Sequence, residues 1–131
     1  MKMPSFIKVF HHTDSKSAKK ILNSGTIRQS LNTLTDAVLG KGTYVTKLGP
    51  EKTRAQIALN NFGTTKSTIK KRKTDVAFEM KLPRKKVCDH TKKLGRDVRL
   101  HKGEINLRKV KKCKMHVRKT KNGNKYKTFK L

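Results

Sequence analysis

The chain has 131 residues, with 35 lysines and arginines against 8 acidic residues and a formal net charge of +27. That length allows one domain with a modest core, and the charge draws the molecule to polyanions, above all nucleic acid, while opposing cationic partners. No apolar run approaches the ~18 residues of a membrane-spanning helix, and no apolar segment follows the charged N-terminus as in a signal peptide.

The expectation is therefore an intracellular protein, cytoplasmic or nuclear, with no membrane partner. The charge is uneven: residues 1–65 hold 10 basic and 3 acidic side chains, residues 66–131 hold 25 and 5. Self-repulsion on this scale predicts a monomer. A basic surface can also serve only solubility or bind acidic proteins, so composition leaves the partner's identity open. Cys88 and Cys113 stand far apart with no Cys-x-x-Cys, which reads as free thiols in a reducing compartment. His90 beside Cys88 is too little for a zinc site, and no metal is expected.

Taken in order, Phe6–Phe10 is an apolar run suited to a buried strand. Asp14 or Ser15 can cap a helix over Lys16–Asn23 that Gly25 stops, with Ala18, Ile21 and Leu22 as its buried face. Ile27 reads as a short extended piece before a polar loop, Arg28 to Ala37. Leu39 to Thr46 is a Gly-x-Gly entering a β-branched and aromatic strand. Gly49-Pro50-Glu51 predicts a helix opening, with Ala55, Ala58, Leu59 and Phe62 on one face and Gly63 as the stop. Thr64–Thr74 reads as an exposed basic loop.

Asp75–Leu82 alternates as a half-buried strand, Val76, Phe78, Met80 and Leu82 on one side, ended by Pro83. Arg84–Gly95 is a basic connection. Asp97–His101 alternates again, Gly103 breaks it, and Ile105 and Leu107 continue it. Cys113, Met115 and Val117 make another strand, with Tyr126 and Phe129 a weak last one after an Asn-Gly hairpin signal at Lys121–Asn124. Two early helices followed by strands predict a single α+β domain with a mixed or antiparallel sheet.

Polar residues recur at strand termini: His11 after the first strand, Tyr44 in the second, Asp97 at the head of a later one. A histidine can hydrogen-bond a ribose hydroxyl and a phenol ring can stack on a planar base. A carboxylate can offset charge as an oxocarbenium ion develops. Each has an ordinary structural alternative as surface histidine, half-buried core tyrosine or solvated acid.

Val9-Phe10-His11-His12-Thr13 before a helix, then Ile27-Arg28-Gln29-Ser30 and Leu39-Gly40-Lys41-Gly42-Thr43-Tyr44-Val45-Thr46, together resemble the ADP-ribosyltransferase superfamily. The resemblance is closest to its toxin-type branch with a His-Tyr-Asp triad, and the second motif is similar to that of the poly(ADP-ribose) polymerases. It covers residues 6–62 by motif and 75–117 by strand order. It implies a split β-sheet core and NAD as the substrate. It further implies that His11 binds the adenosine ribose, with His12 where the branch has tyrosine, and that Tyr44 stacks on nicotinamide. Thr13, Gly42 and Thr43 lie beside those contacts, and Ser30 supports the adenine-side loop. Asp97 takes the acidic position, with Glu104 as the alternative catalytic acid and Glu79 a more distant one. An aspartate reaches a chain-growing hydroxyl less easily than glutamate, which implies single transfer.

The lysine-rich clusters Lys70-Lys71-Arg72-Lys73, Arg84-Lys85-Lys86 and Arg108–Lys112, including Lys111 and Lys112, are candidate phosphate contacts with few aromatics for reading bases. The expectation is an ADP-ribosyltransferase acting on RNA or DNA or on a target bound to them. Two alternatives stand beside it: a basic nucleic-acid-binding protein without catalysis, and an RNA 2′-phosphotransferase, whose family normally adds His and Arg residues from an extra N-terminal domain.

Overall fold

The computed structural model describes residues 5–29, 42–120 and 123–131. Strand β1 (Phe6–Thr13) leads into α1 (Ser15–Ser24), followed by β2 (Thr26–Ile27) and β3 (Thr43–Val45). Helices α2 (Arg54–Phe62) and α3 (Lys66–Lys70) precede the long strand β4 (Val76–Pro83). Then come β5 (Val87–Asp89), α4 (Thr91–Leu94), β6 (Arg99–His101), β7 (Ile105–Asn106), β8 (Lys111–Arg118) and β9 (Tyr126–Lys130). The fold is α+β, and its ladders are antiparallel: a four-stranded sheet β1-β4-β8-β9, a three-stranded sheet β3-β6-β5 and the pair β2-β7.

Local chemistry explains the element ends. The Asp14 side chain accepts from the Ser17 amide at 2.6 Å and caps α1, and Gly25 closes it in the left-handed conformation at φ 72°, a geometry open to glycine because it lacks a Cβ. The second helix opens at Arg54 rather than at Gly49-Pro50-Glu51. Thr53 and Gln56 form a reciprocal capping box, a stronger start than a proline turn. The Gly49 segment is instead a turn closed by the Lys52 amide on the Gly49 carbonyl at 3.1 Å.

The core lies between α1 and one face of the large sheet, where Val9, Phe78, Met80 and Leu82 are at most 1% exposed, with Ile27, Val45 and Ile105 from the smaller sheets. Several expected faces differ. Leu22, Ala55, Leu59 and Phe62 are exposed; α2 buries Ala58 as expected, but with Arg54 and Ile57 rather than Ala55, Leu59 and Phe62. The bonds of Arg54 to Asp75, Thr120 and Gly123 hold the arginine side of that helix inward. The Thr64–Thr74 segment carries α3 and buries Thr68 and Thr74, so it is not simply an exposed loop. Ala77 on the expected polar side of β4 is buried, because on that face it sits between the buried His12 and His116, while Glu79 and Lys81 further along are half-buried. Strand β9 pairs along all five residues with β8. Lys121 and Asn122 of the hairpin signal lie outside the described residues.

That second face is held by charge. Arg54, buried in α2, donates to the Asp75 carboxylate, to Thr74 Oγ1 at 3.1 Å, to the Gly123 carbonyl at 3.1 Å and to the Thr120 carbonyl at 2.5 Å. Arg72 reaches the other oxygen of Asp75 at 2.7 Å. Arg118 extends the network to the carbonyls of Lys52 and Asn124 at 2.8 and 3.0 Å.

Removing one partner of a buried pair strands the other charge at a cost of roughly 3–5 kcal/mol. Asp75→Ala is expected to lose about that much in urea unfolding. Arg72→Ala, whose guanidinium is partly exposed, should lose about 1 kcal/mol or less. Equal losses would contradict the division of labour in this network.

Candidate active site

Two sheets meet where β1 and β3 touch. The Phe10 amide donates to the Thr46 carbonyl at 2.7 Å and the Thr46 amide to the Phe10 carbonyl at 3.0 Å. This bridge lays His11 against Tyr44, and the His11 Nδ1–H donates to the Tyr44 carbonyl at 2.9 Å. That bond fixes the tautomer and leaves Nε2 as an acceptor. His11 lies inside β1, not after it: the strand continues to Thr13 because residues 11–13 pair with Phe78, Ala77 and Val76 of β4.

A cleft of about 390 Å³ opens beside this junction. His11, Tyr44 and Asp97 all line it, so three residues separated by up to 86 positions in the chain share one concavity. The far wall comes from α2 and α3: Asn61, Phe62, Ser67 and Thr68, with Lys71 and Lys73 just beyond and Arg96 at the side. The Lys73 ammonium lies 5.4 Å from the Phe62 ring centroid, within cation–π range. The basic triplet suits an anionic ligand, and the aromatic pair Tyr44 and Phe62 suits a planar one.

The other expected contacts are mostly wall. The chain alternates sides along β1, so His12 points away from His11, although it too lines the cleft. It is buried, with Nε2–H donating to the Leu48 carbonyl at 2.7 Å. Thr43 is fully buried and donates to the Gly103 carbonyl at 2.9 Å, and Thr13 is buried in β1. Gly42 packs so closely that a Cβ would stand 2.6 Å from both the His101 carbonyl oxygen and Leu100, so only glycine fits without a backbone shift. Ser30 and Gly40 lie outside the described residues.

The two acids differ. Asp97 precedes β6, and its Oδ1 accepts from Thr46 Oγ1 at 3.1 Å, from the Lys47 amide at 3.0 Å and from Arg99 Nε at 3.3 Å. Asn60 clamps its backbone, giving 2.8 Å to the carbonyl and accepting 2.8 Å from the amide. Glu104 is exposed at the start of β7 and makes no hydrogen bond or ion pair to another described residue. It follows Gly103, whose carbonyl holds Thr43, the neighbour of Tyr44. Glu79 belongs to another group, bonded to His116 Nε2 at 3.0 Å on the second face of the sheet.

Of the basic clusters, Lys71 and Lys73 line the cleft, Arg72 is tied to Asp75, and Lys70, Lys85, Lys86 and Lys112 are exposed. Arg84 is half-buried, and the Lys111 side chain lies outside the described residues. Among the described residues no three His, Cys, Asp or Glu side chains gather as metal ligands, and no helix is long and apolar enough to cross a membrane. Sequence reasoning missed Phe62 and Arg96 as site residues. Phe62 read as core because it completes a helical apolar stripe; its place just before the Gly63 cap, where the helix ends, was the available clue.

Burial lowers the pKa of His11, the bond to the Tyr44 carbonyl opposing it in part, and burial pushes His12 down to about 4. Cys113 is buried and pushed up to about 11 by burial and by Glu79, so it stays a thiol. Both site histidines are thus neutral near pH 7.

Comparison with known proteins adds no relative to this geometry: no family model, no curated protein and no solved structure matches the chain.

A histidine whose pKa is lower folded than unfolded contributes stability that is fully present above the unfolded value of about 6.5 and is lost as pH falls toward the folded value. For His12 the loss between neutral pH and pH 5 should be about 2 kcal/mol. His12→Gln, which can still donate to the Leu48 carbonyl, is expected to flatten that part of the stability–pH curve. An unchanged slope would mean His12 does not titrate in this way.

Proposed function

We propose that the protein is an NAD-dependent ADP-ribosyltransferase whose acceptor is nucleic acid or a target bound to it. The observation that carries this reading is the His11–Tyr44 bond across the two sheets, because it draws the key residues of both resembling motifs into one cleft. The cleft volume of about 390 Å³ lies in the range of small-molecule sites. Tyr44 and Phe62 offer flat faces for nicotinamide, while Lys71, Lys73 and Arg96 suit the pyrophosphate. The His11 Nε2 lone pair can accept from a ribose hydroxyl.

In the reaction the bond between nicotinamide and ribose C1′ breaks, and nicotinamide leaves with the electron pair. An acceptor nucleophile then bonds to C1′ and gives up its proton. The protein's work is to hold NAD in a reactive geometry and to offset charge on the ribosyl cation. For the acid we favour Glu104 over Asp97. Asp97 lines the cleft, but its carboxylate already holds Thr46, Lys47 and Arg99, so it supports the cleft wall. Glu104, although not among the residues lining the cleft, is exposed and follows Gly103, whose carbonyl accepts from Thr43 at the start of β3. The +27 charge steers the enzyme to a phosphate backbone.

The test is nicotinamide release and label transfer from adenylate-labelled NAD, with RNA, DNA or neither added. Tyr44→Ala and Glu104→Gln are expected to lower turnover by about 100-fold or more. Asp97→Asn should keep turnover within about tenfold while lowering stability. Turnover abolished by Asp97→Asn but kept by Glu104→Gln would reverse the assignment of the acid. No turnover in any condition would overturn the enzyme reading and leave a basic binding protein.

A further inference from the structure

We infer that the outer surface of the β8–β9 hairpin is a docking platform for single-stranded nucleic acid. Residues 105–131 contain 11 lysines and arginines and no aspartate or glutamate. Strand β9 is the outermost strand of its sheet and every residue of it is exposed. Lysines on an edge strand are a common guard against strand addition by another chain, which would account for Lys125, Lys127 and Lys130. That guard does not explain the apolar side chains left among them. Tyr126 is 37% exposed and Phe129 40%, one on each side of the strand by alternation, and the Lys127 ammonium lies 5.4 Å from the Phe129 ring centroid.

Cations track phosphates, and exposed rings stack on bases. Their combination on one surface is how proteins hold single strands without reading sequence. Lys127 and Phe129, with Lys125 just ahead of them, share one side of β9, while the Tyr126 ring on the other side packs edge-on against His116. An acidic protein would use the charges but gains less from the Phe129 ring. Duplex DNA hides its bases from such stacking, so the unpaired form is the better occupant.

Phe129 also lies on the same face of the large sheet as His11, with the buried Phe78 and the half-buried Met115 between them. The ladder register sets His11 opposite Phe78, Phe78 opposite Met115 and Met115 opposite Phe129. Three strand spacings therefore separate Phe129 from His11, about 14 Å across the sheet. As an acceptor surface, the platform rests on the transferase reading; as a binding surface, it does not.

The experiment measures fluorescence anisotropy of a labelled oligouridine of about 15 nucleotides, without NAD, across a salt series. The full chain is compared with Lys125/Lys127/Lys130→Gln, with Phe129→Ala, and with Lys16/Lys19/Lys20→Gln on the exposed side of α1 as a charge-matched control. Each variant is checked by thermal melting. Phe129→Ala should weaken binding about tenfold. The β9 lysine variant should lower the salt slope by about 2, and the α1 variant should leave binding nearly unchanged. Equal losses in the two lysine variants would overturn the platform in favour of net charge. An unaffected Phe129→Ala would overturn the stacking role, and tighter binding of a polyglutamate or a duplex of equal charge would overturn the choice of ligand. Because no NAD is present, these failures are separate from a failure of the transferase reading.

Discussion

Asp75 is one carboxylate in a chain whose net charge is +27, and two guanidiniums converge on it in the interior. A buried arginine is tolerable only when its charge is met and its donors are used. Arg54 satisfies both conditions by reaching across the chain, from α2 to the start of β4 and to carbonyls at residues 120 and 123. The backbone repeats the connection, since the Arg118 amide donates to the Asp75 carbonyl at 2.9 Å. The wall of the cleft formed by α2 and α3 is therefore anchored to the large sheet by electrostatics and directed hydrogen bonds, with little apolar contact from α2 beyond Ile57 and Ala58.

The cleft follows from that anchorage and from the junction between sheets. Phe10 and Thr46 join the two sheets through one backbone pair of hydrogen bonds, and the His11 side chain adds a second link to the Tyr44 carbonyl. Its electrostatic character is mixed. The histidines are kept neutral by burial, while Lys71, Lys73 and Arg96 supply positive charge at the rim, where water can solvate them. Such a site attracts an anionic ligand without burying bare charge.

The sequence was most legible where one strong local signal acted alone. The β4 alternation, the Asp14 cap and the Gly25 stop correspond to the structure because each depends on neighbours in the chain. Helix α2 was misread for the opposite reason: its inward face is set by Arg54 bonding to residues 66 or more positions away at Thr120 and Gly123, which no local pattern can report. The meeting of His11 and Tyr44 was expected from motif resemblance, and the cleft brings Asp97 to the same place. What the motifs could not reveal is that Asp97 is already engaged by Thr46 and Arg99, a property of three-dimensional neighbours. Phe62 and Arg96 were hidden likewise, since an aromatic at helical spacing and a lone arginine carry no mark of the surface they will face.

The register of the large sheet has a consequence for how the molecule comes into being. Strand β1 has no ladder partner until residues 76–83 exist, and β4 in turn waits for β8 at residues 111–118. Contacts this distant in sequence make folding slow, because long loops must close before any pairing rewards them. During synthesis the first half of the chain has no sheet to join, and Arg54 has no counter-charge until Asp75 emerges. The cleft walls and the sheet behind them therefore come together only late in synthesis, once β4 and β8 have both emerged.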